Sequence, residues 1–395
     1  MRLPRPVLAN EDVDARRKIK GHLAEAGEVF QFKALYFMGK FFGHAVCFSG
    51  QTYKISPNLA FRFRWLTLAV NQKITNMKAF VKFLFLGTAA VFSCLKPAAQ
   101  TTVTERIPGS KASFSMALVP AGIVTVGSAD GPPNQQPPRQ VQLDSFWIGT
   151  TEVGYDEFIV FYQKQYDADS TARPGLAYKA DAVSRPTPQY IDYTYGMGKS
   201  GFPAVSMTQQ AALRYCQWLY EKTGDFYRLP TEAEWEAACK FGSSGVGSWQ
   251  PRTDLGSYAW YYDNSYEKYH ELAQKKPNPL GLYDMLGNVM EWTLDSYEEN
   301  YLQNLPGDPA ANPWVEPTKR HSRTVKGGSY DSSPEECTCS ARKKSEPKWQ
   351  ARDPQIPKSR WWNPDSPFVG FRVVRPVKQP DKAGVDAFFA KAIKD

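Results

Sequence analysis

Short apolar runs broken by turn-forming residues dominate the chain from residue 114 to residue 376. Met116 to Gly127 (MALVPAGIVTVG) reads as strand, interrupted by a Pro-Ala-Gly turn. Val141 to Thr150 alternates in the same way, and Thr151-Glu152-Val153 leads into a helix expected around Tyr155 to Gln165. Residues 167–202 are rich in Tyr, Pro, Gly and Asp and predict an irregular loop. Thr208 is placed to cap a helix whose Ala211, Ala212, Tyr215, Trp218 and Leu219 recur at helical spacing, and Gly224 ends it. Thr231-Glu232-Ala233-Glu234 has capping-box spacing: a Thr side chain and an acid three residues later satisfy each other's free backbone N–H groups. Beyond about Gly242 helix signals are few until a short amphipathic helix from Asp381 to Lys394. No repeat of 20–50 residues is present.

The beginning of the chain has a different pattern. Residues 1–76 are rich in Phe, Lys and Arg with no clear period. At Met77-Lys78 a basic segment opens, Phe83 to Ser93 (FLFLGTAAVFS) is an apolar run, and Cys94 follows. Residues 77–94 therefore read as a secretory signal peptide, too short to span a bilayer. Val91-Phe92-Ser93-Cys94 resembles a loose bacterial lipobox, so Cys94 is either a lipid-anchored residue or an ordinary residue beside a cleavage site. The polar residues 95–113 read as a linker, residues 114–378 as the folded domain and residues 379–395 as a tail helix.

Composition narrows the function classes. The chain has 395 residues, 42% hydrophobic and 14% aromatic, enough to bury a core. Its net charge of +8 is scattered, without a dense basic tract interleaved with aromatics, which argues against nucleic-acid binding. Six cysteines are too few for a disulfide scaffold, and the four histidines show no chelating spacing.

Several strings then fall in a telling order: Phe202-Pro203-Ala204-Val205-Ser206, RLPTEAEWE at Arg228 to Glu236, and GLYDMLGNVMEW at Gly281 to Trp292. Gly327-Gly328-Ser329-Tyr330, Ser340-Ala341-Arg342 and Gly370-Phe371-Arg372 close the set. In this order they resemble the formylglycine-generating-enzyme, or sulfatase-modifying-factor, family over about 260 residues. The resemblance implies an irregular, loop-rich α+β fold related to C-type lectins. Trp235 and Trp292 are expected in its core rather than at a ligand. It also implies calcium, with Asn288 and Glu291 as ligands of one ion and Asn264 as a candidate for a second. The alternative for Asn288 is a tight turn with local hydrogen bonds.

Members of this family oxidise a sulfatase cysteine, in a Cys-x-Pro-x-Arg peptide, to formylglycine with oxygen and copper(I). The soft ion is held by two thiolates at C-x4-C spacing just after the GGS string, whose serine lines the same site. Here Ser329 matches that serine, Cys337 matches the second cysteine, and Ser332 stands in place of the first. A hydroxyl is a hard donor and cannot replace a thiolate on copper(I). Cys339 could supply the missing thiol in a C-x-C pair with Cys337; otherwise it reads, like Cys216 and Cys239, as a buried thiol behaving as a small hydrophobe. A histidine-bound iron branch of the family is excluded, since only His270 and His321 fall in the domain.

Two functions stay open. One is a copper-dependent oxidase acting on a cysteine-containing sulfatase-type peptide, with Cys337 and Ser329 in its site. The other is a non-catalytic structural or binding lipoprotein of the cell envelope, docking a protein partner through the long insertion 166–201 and through loop 343–362, where Trp and basic residues cluster. Either version is exported, to the periplasm, outer membrane or cell surface. Translation is expected to start at Met77, with residues 1–76 absent from the mature protein. N-terminal sequencing of the native protein checks this; a native N-terminus at Met1 would overturn it.

Overall fold

The alternation at residues 113–149 becomes four strands shared between two sheets. The structure, a computed structural model, describes residues 101–162, 192–242, 245–246, 251, 253–351 and 365–394. The expected extension 1–76, the signal peptide 77–94 with Cys94, and the greater part of loops 166–201 and 343–362 lie outside the described residues. Strand β1 (Thr102–Arg106) pairs antiparallel with β2 (Ser113–Val119). The segment read as linker 95–113 thus contributes an edge strand, because Val103 packs partly buried against the core. The Pro-Ala-Gly turn then sends β3 (Gly122–Val126) into a different sheet, where it pairs with β4 (Arg139–Leu143). The run expected as one strand at 141–150 breaks at Asp144-Ser145, and β5 (Phe146–Gly149) returns to β2.

Helices follow their caps. Helix α1 (Tyr155–Tyr162) begins where Glu157 accepts the Gly154 N–H at 2.7 Å. Helix α2 (Gln209–Thr223) starts at Thr208, whose hydroxyl accepts from Ala211 N, and stops at Gly224 with φ 83°. Helix α3 (Glu232–Cys239) has the full capping box of Thr231 and Glu234. Short β6 (Phe241–Gly242) and β7 (Gly245–Val246) follow. Then β8 (Met290–Ser296), which carries the end of the GNVMEW string, is buried at every position but its last. After α4 (Tyr301–Asn304) and β9 (Ala310–Ala311), β10 (Arg323–Lys326) pairs antiparallel with β8 and with β11 (Arg342–Lys344). Strand β12 (Val369–Gly370) adds parallel to β8, and β13 (Val374–Pro376) closes the first sheet on β5. Helix α5 (Lys382–Ala392), capped by Asp381, ends the chain's described part.

This is the expected α+β fold with modest regular structure. Two large cores and a small one at Tyr269, Val289 and Tyr330 hold the described residues together. One large core gathers Trp218, Tyr215, Trp292, Trp349 and Phe371 between α2 and β8; the other gathers Val124, Val141, Trp235 and Leu282 beneath α3. Trp235 and Trp292 are both fully buried, as expected. Each fully buried apolar side chain of this size contributes about 1.5–3 kcal/mol. Helix α5 buries Val385, Phe389 and Ala392, with Phe389 5.8 Å from the Phe226 ring at an edge-on angle. Among the described residues no helix is long and apolar enough to cross a membrane.

Glu157 joins α1 to α2: its second oxygen accepts from the Tyr215 hydroxyl at 3.1 Å. Burial pushes its carboxyl up to about 7, against the lowering effect of the Gly154 N–H and Tyr215 hydroxyl. The folded state therefore favours the protonated acid more than the unfolded chain does. This stability is full below about pH 4.5 and is lost as pH rises through about 7. Glu157→Gln, which keeps an acceptor for Gly154, should flatten the fall of Tm between pH 5 and 8. A Tm-versus-pH slope unchanged from wild type would contradict this assignment.

Candidate functional site

The GNVMEW, RLPTEAEWE and GFR strings meet at one buried ion pair. Glu291 on β8 receives Arg372 Nε and Nη2, each at 2.6 Å, and the Trp235 indole N–H at 2.7 Å. Arg372 also donates to the carbonyls of Gly149 and Tyr283. Both side chains are essentially inaccessible, so the cost of desolvating them is offset by a bidentate pair with its remaining donors satisfied. Behind it, Glu236 takes Lys240 at 2.6 Å and Lys326 at 2.9 Å. Burial alone would raise Glu236, but the two ammonium groups hold it down to about 2. These pairs fix α3, β8 and β10, and with them the loop that leaves β10.

That loop holds the expected cysteine site. Gly327 and Gly328 have φ of 92° and 74°. A Cβ on Gly328 would lie 2.7 Å from Cys337 Sγ, so glycine is what lets the thiol sit against the GGS turn. Ser332 is buried and folded back into the turn: its Oγ accepts the Ser329 N–H at 3.0 Å and lies 3.4 Å from the Ser329 hydroxyl. Thus Ser329, Ser332 and Cys337 share one turn, as the spacing implied. Cys337 is only 2% exposed, and burial, with Glu336 adding to it, pushes its thiol up to about 12. It is a poor thiolate at neutral pH.

Cys339 overturns one expectation. It is bonded to Cys239 at the end of α3, so it is neither a second copper thiol nor a free buried thiol, and neither is Cys239. The extended reading of Cys337-Thr338-Cys339 had placed both thiols on one face. In fact a turn from Pro334 to Ala341 carries them to different partners, with Cys337 N bonded to Pro334 O and Ala341 N to Thr338 O. Cys216 is a free, buried thiol whose ionisation burial disfavours. Copper(I) thus meets one hydroxyl and one protonated thiol here. This donor set does not fit the ion.

The expected calcium ligands are engaged within the protein. Glu291 is taken up by Arg372 and Trp235. Asn288, left-handed at φ 53°, accepts the His270 N–H with Oδ1 and donates to Glu152 with Nδ2. Asn264 closes a local turn, accepting from Tyr261 N and donating to Ala259 O. Asn264 makes local hydrogen bonds, whereas Asn288, though it sits in a left-handed position after Gly287, reaches His270 and Glu152, which are distant in sequence, rather than the local partners that the alternative reading described. Sequence reasoning missed two neighbours, Glu152 and Asp284. Each has one buried oxygen without a hydrogen-bond partner. Burial raises Glu152 well above its usual range and Asp284 to about 6, and the Glu291 carboxylate adds to both. Their signal in the sequence was the Tyr283-Asp284 step inside the GLYD string and the Thr151-Glu152-Val153 step before α1.

Beside the turn lies an open cavity of about 650 Å³, lined in part by Cys337, Thr338, Tyr261, Leu286, Asp130 and Glu335. A smaller one of about 300 Å³ opens beside Met290, Gly328 and Ser332.

Residues 104–377 match the family model described as the sulfatase-modifying factor enzyme 1-like domain. The chain belongs to this family. Mouse formylglycine-generating enzyme is 24% identical over 283 residues, covering 61% of this chain and 73% of the relative. Mouse inactive C-alpha-formylglycine-generating enzyme 2 is 30% identical over 220 residues, covering 47% and 70%. The serine/threonine-protein kinase pkn1 of Chlamydia pneumoniae is 26% identical over 233 residues, covering 59% and 35%. The chain therefore spans only about a third of the length of that kinase.

Within this family domain the Cys239–Cys339 bond ties α3 to the cysteine loop across a sequence separation of 100 residues. Closing so long a loop restricts the unfolded chain, and removing the bond should cost about 2–5 kcal/mol. The double variant Cys239→Ala/Cys339→Ala should lower the denaturation midpoint accordingly in urea titration. A midpoint equal to wild type would mean that the crosslink contributes nothing.

Proposed function

We propose that this protein is a non-oxidase member of the formylglycine-generating-enzyme family, a binding or structural module exported to the cell envelope. The observation that carries this is Ser332. Its hydroxyl occupies the first cysteine position and is bonded to the Ser329 N–H, while Cys339, the thiol that the C-x-C spacing offered in its place, is locked to Cys239. What remains is one buried thiol, Cys337, pushed up to about 12. A relative carries the name of an inactive formylglycine-generating enzyme, and this supports loss of the chemistry without loss of the fold.

Export is supported by the apolar run after Met77 and by the disulfide, since such bonds persist in oxidising compartments. Cys94 is the proposed lipid anchor. The partner is an envelope protein rather than a sulfatase-type peptide. Calcium remains part of the proposal, with its weight moved from Asn264 and Glu291 to the unpartnered oxygens of Glu152 and Asp284 beside Asn288. Hard carboxylate oxygens suit that ion, and a cation there would offset the crowding of three carboxylates around one guanidinium.

The test is aldehyde formation on a Cys-x-Pro-x-Arg peptide, with the full chain, copper(I) and air, read by mass spectrometry. No aldehyde is expected from a folded sample. Aldehyde that disappears in Cys337→Ala would overturn the proposal and restore the oxidase reading. On the same sample, millimolar calcium should raise Tm at pH 8 relative to chelator. A Tm indifferent to calcium removes calcium from the proposal.

A further inference from the structure

Five large hydrophobic side chains stand exposed among the described residues, and three of them are tyrosines around the Ser332 turn: Tyr195, Tyr262 and Tyr266, at 57%, 62% and 82% exposure. Contacts tie the segments that carry them to that turn. The Tyr262 N–H donates to the Ser332 carbonyl at 3.0 Å. Ser265, next to Tyr266, donates its hydroxyl to the Tyr330 carbonyl at 2.8 Å. Tyr195 donates to Asp365 at 2.7 Å, and the Tyr269 ring bridges from Tyr330 to the Gly198 carbonyl.

The backbone holds these rings outward at a cost. Tyr195 and Tyr266 have φ of 52° and 58°, in the left-handed region that bulky side chains rarely adopt. Neither ring gains burial in return. The local charge is also unlike that of the whole protein. Asp192, Asp331 and Asp365 lie exposed here against Lys199, which Asp192 already holds at 3.2 Å. Asp331 and Asp365 have no cationic partner among the described residues. Asp263, Glu267 and Lys268 beside Tyr266 add one more net negative charge. An acidic, tyrosine-faced patch thus sits on a chain of net charge +8.

We propose that this patch, Tyr195, Tyr262 and Tyr266 with Asp331 and Asp365, docks an arginine- or lysine-bearing peptide segment of a partner protein. The proposal rests on the non-oxidase reading and gives that module its ligand chemistry. Aromatic faces attract guanidinium and ammonium groups, and carboxylates without a cationic partner add ion pairs, which a neutral sugar cannot form. Tyrosine supplies contact area at low entropic cost, which suits an interface.

The test uses the full chain and a fluorescein-labelled (Arg-Gly)5 peptide, read by anisotropy at low salt. A (Glu-Gly)5 peptide and chitotetraose serve as comparisons. Saturable binding of the arginine peptide is expected, weakening with salt, and no binding of the glutamate peptide. Tyr262→Ala/Tyr266→Asn should weaken binding about tenfold, asparagine being tolerated at the left-handed position. Asp331→Asn/Asp365→Asn should weaken it similarly and reduce the salt dependence. Both double variants alter exposed side chains, and an unchanged Tm confirms that they fold. Equal binding to wild type and both variants would sink the proposal. So would binding of chitotetraose without the peptide, which points to a glycan, or binding of neither. The aldehyde assay keeps the two readings apart: aldehyde formation overturns the non-oxidase reading, whereas no aldehyde and no peptide binding overturns only this one.

Discussion

The Glu291–Arg372 pair is the constraint on which the rest of this domain depends. It joins the start of β8 to the segment between β12 and β13, and through the Trp235 indole and the Gly149 and Tyr283 carbonyls it reaches α3, the end of β5 and the GLYD string. Segments 223 residues apart are thereby held in register by one guanidinium. Removing either partner would leave a buried charge uncompensated, typically a loss of about 3–5 kcal/mol. Strings that look like signatures of chemistry are therefore first of all the parts of one structural joint.

This explains how the fold can outlast its catalytic pair. Neither Ser332 nor Cys337 takes part in the Glu291–Arg372 joint or in the Glu236–Lys240–Lys326 cluster behind it. The Ser332 hydroxyl satisfies a backbone N–H that the turn exposes in any case, so serine suits the turn geometry there. Cys337 fills space against Gly328, which a thiol does without ionising. Copper chemistry asks for thiolates, while the turn asks only for a small side chain with a polar tip and a small buried one. The two demands can separate, and the Ser332 hydroxyl meets only the second.

Much of this was legible in the chain. Thr208, Gly224 and Thr231 marked their helix ends because capping is local: an N–H three residues away is satisfied or it is not. The ordered strings carried the fold and located Ser329, Ser332 and Cys337 in one turn. Three things were not legible. The strand at Thr102–Arg106 pairs with β2 just across a short turn, but its polar TVTER sequence reads as linker. The Cys239–Cys339 bond and the Glu152–Asp284 crowding depend on partners distant in sequence. A periodicity window does not see them. The reading of Cys337-Thr338-Cys339 as extended failed because Pro334 starts a turn, a proline signal that the C-x-C spacing obscured.

The exposed tyrosines follow the same division between what the fold requires and what it merely permits. Tyr269 and Tyr330 are buried beneath the Ser332 turn and pack on each other, so their presence needs no ligand. Tyr262 and Tyr266, on the adjoining loop, bury little and brace nothing in the core. Tyr266 even occupies a backbone conformation that asparagine or glycine would accept more readily. A position where the fold would prefer another residue is one where selection for something outside the fold is the simpler cause. On the proposed reading, that cause is a ligand held on the face beside the Ser332 turn.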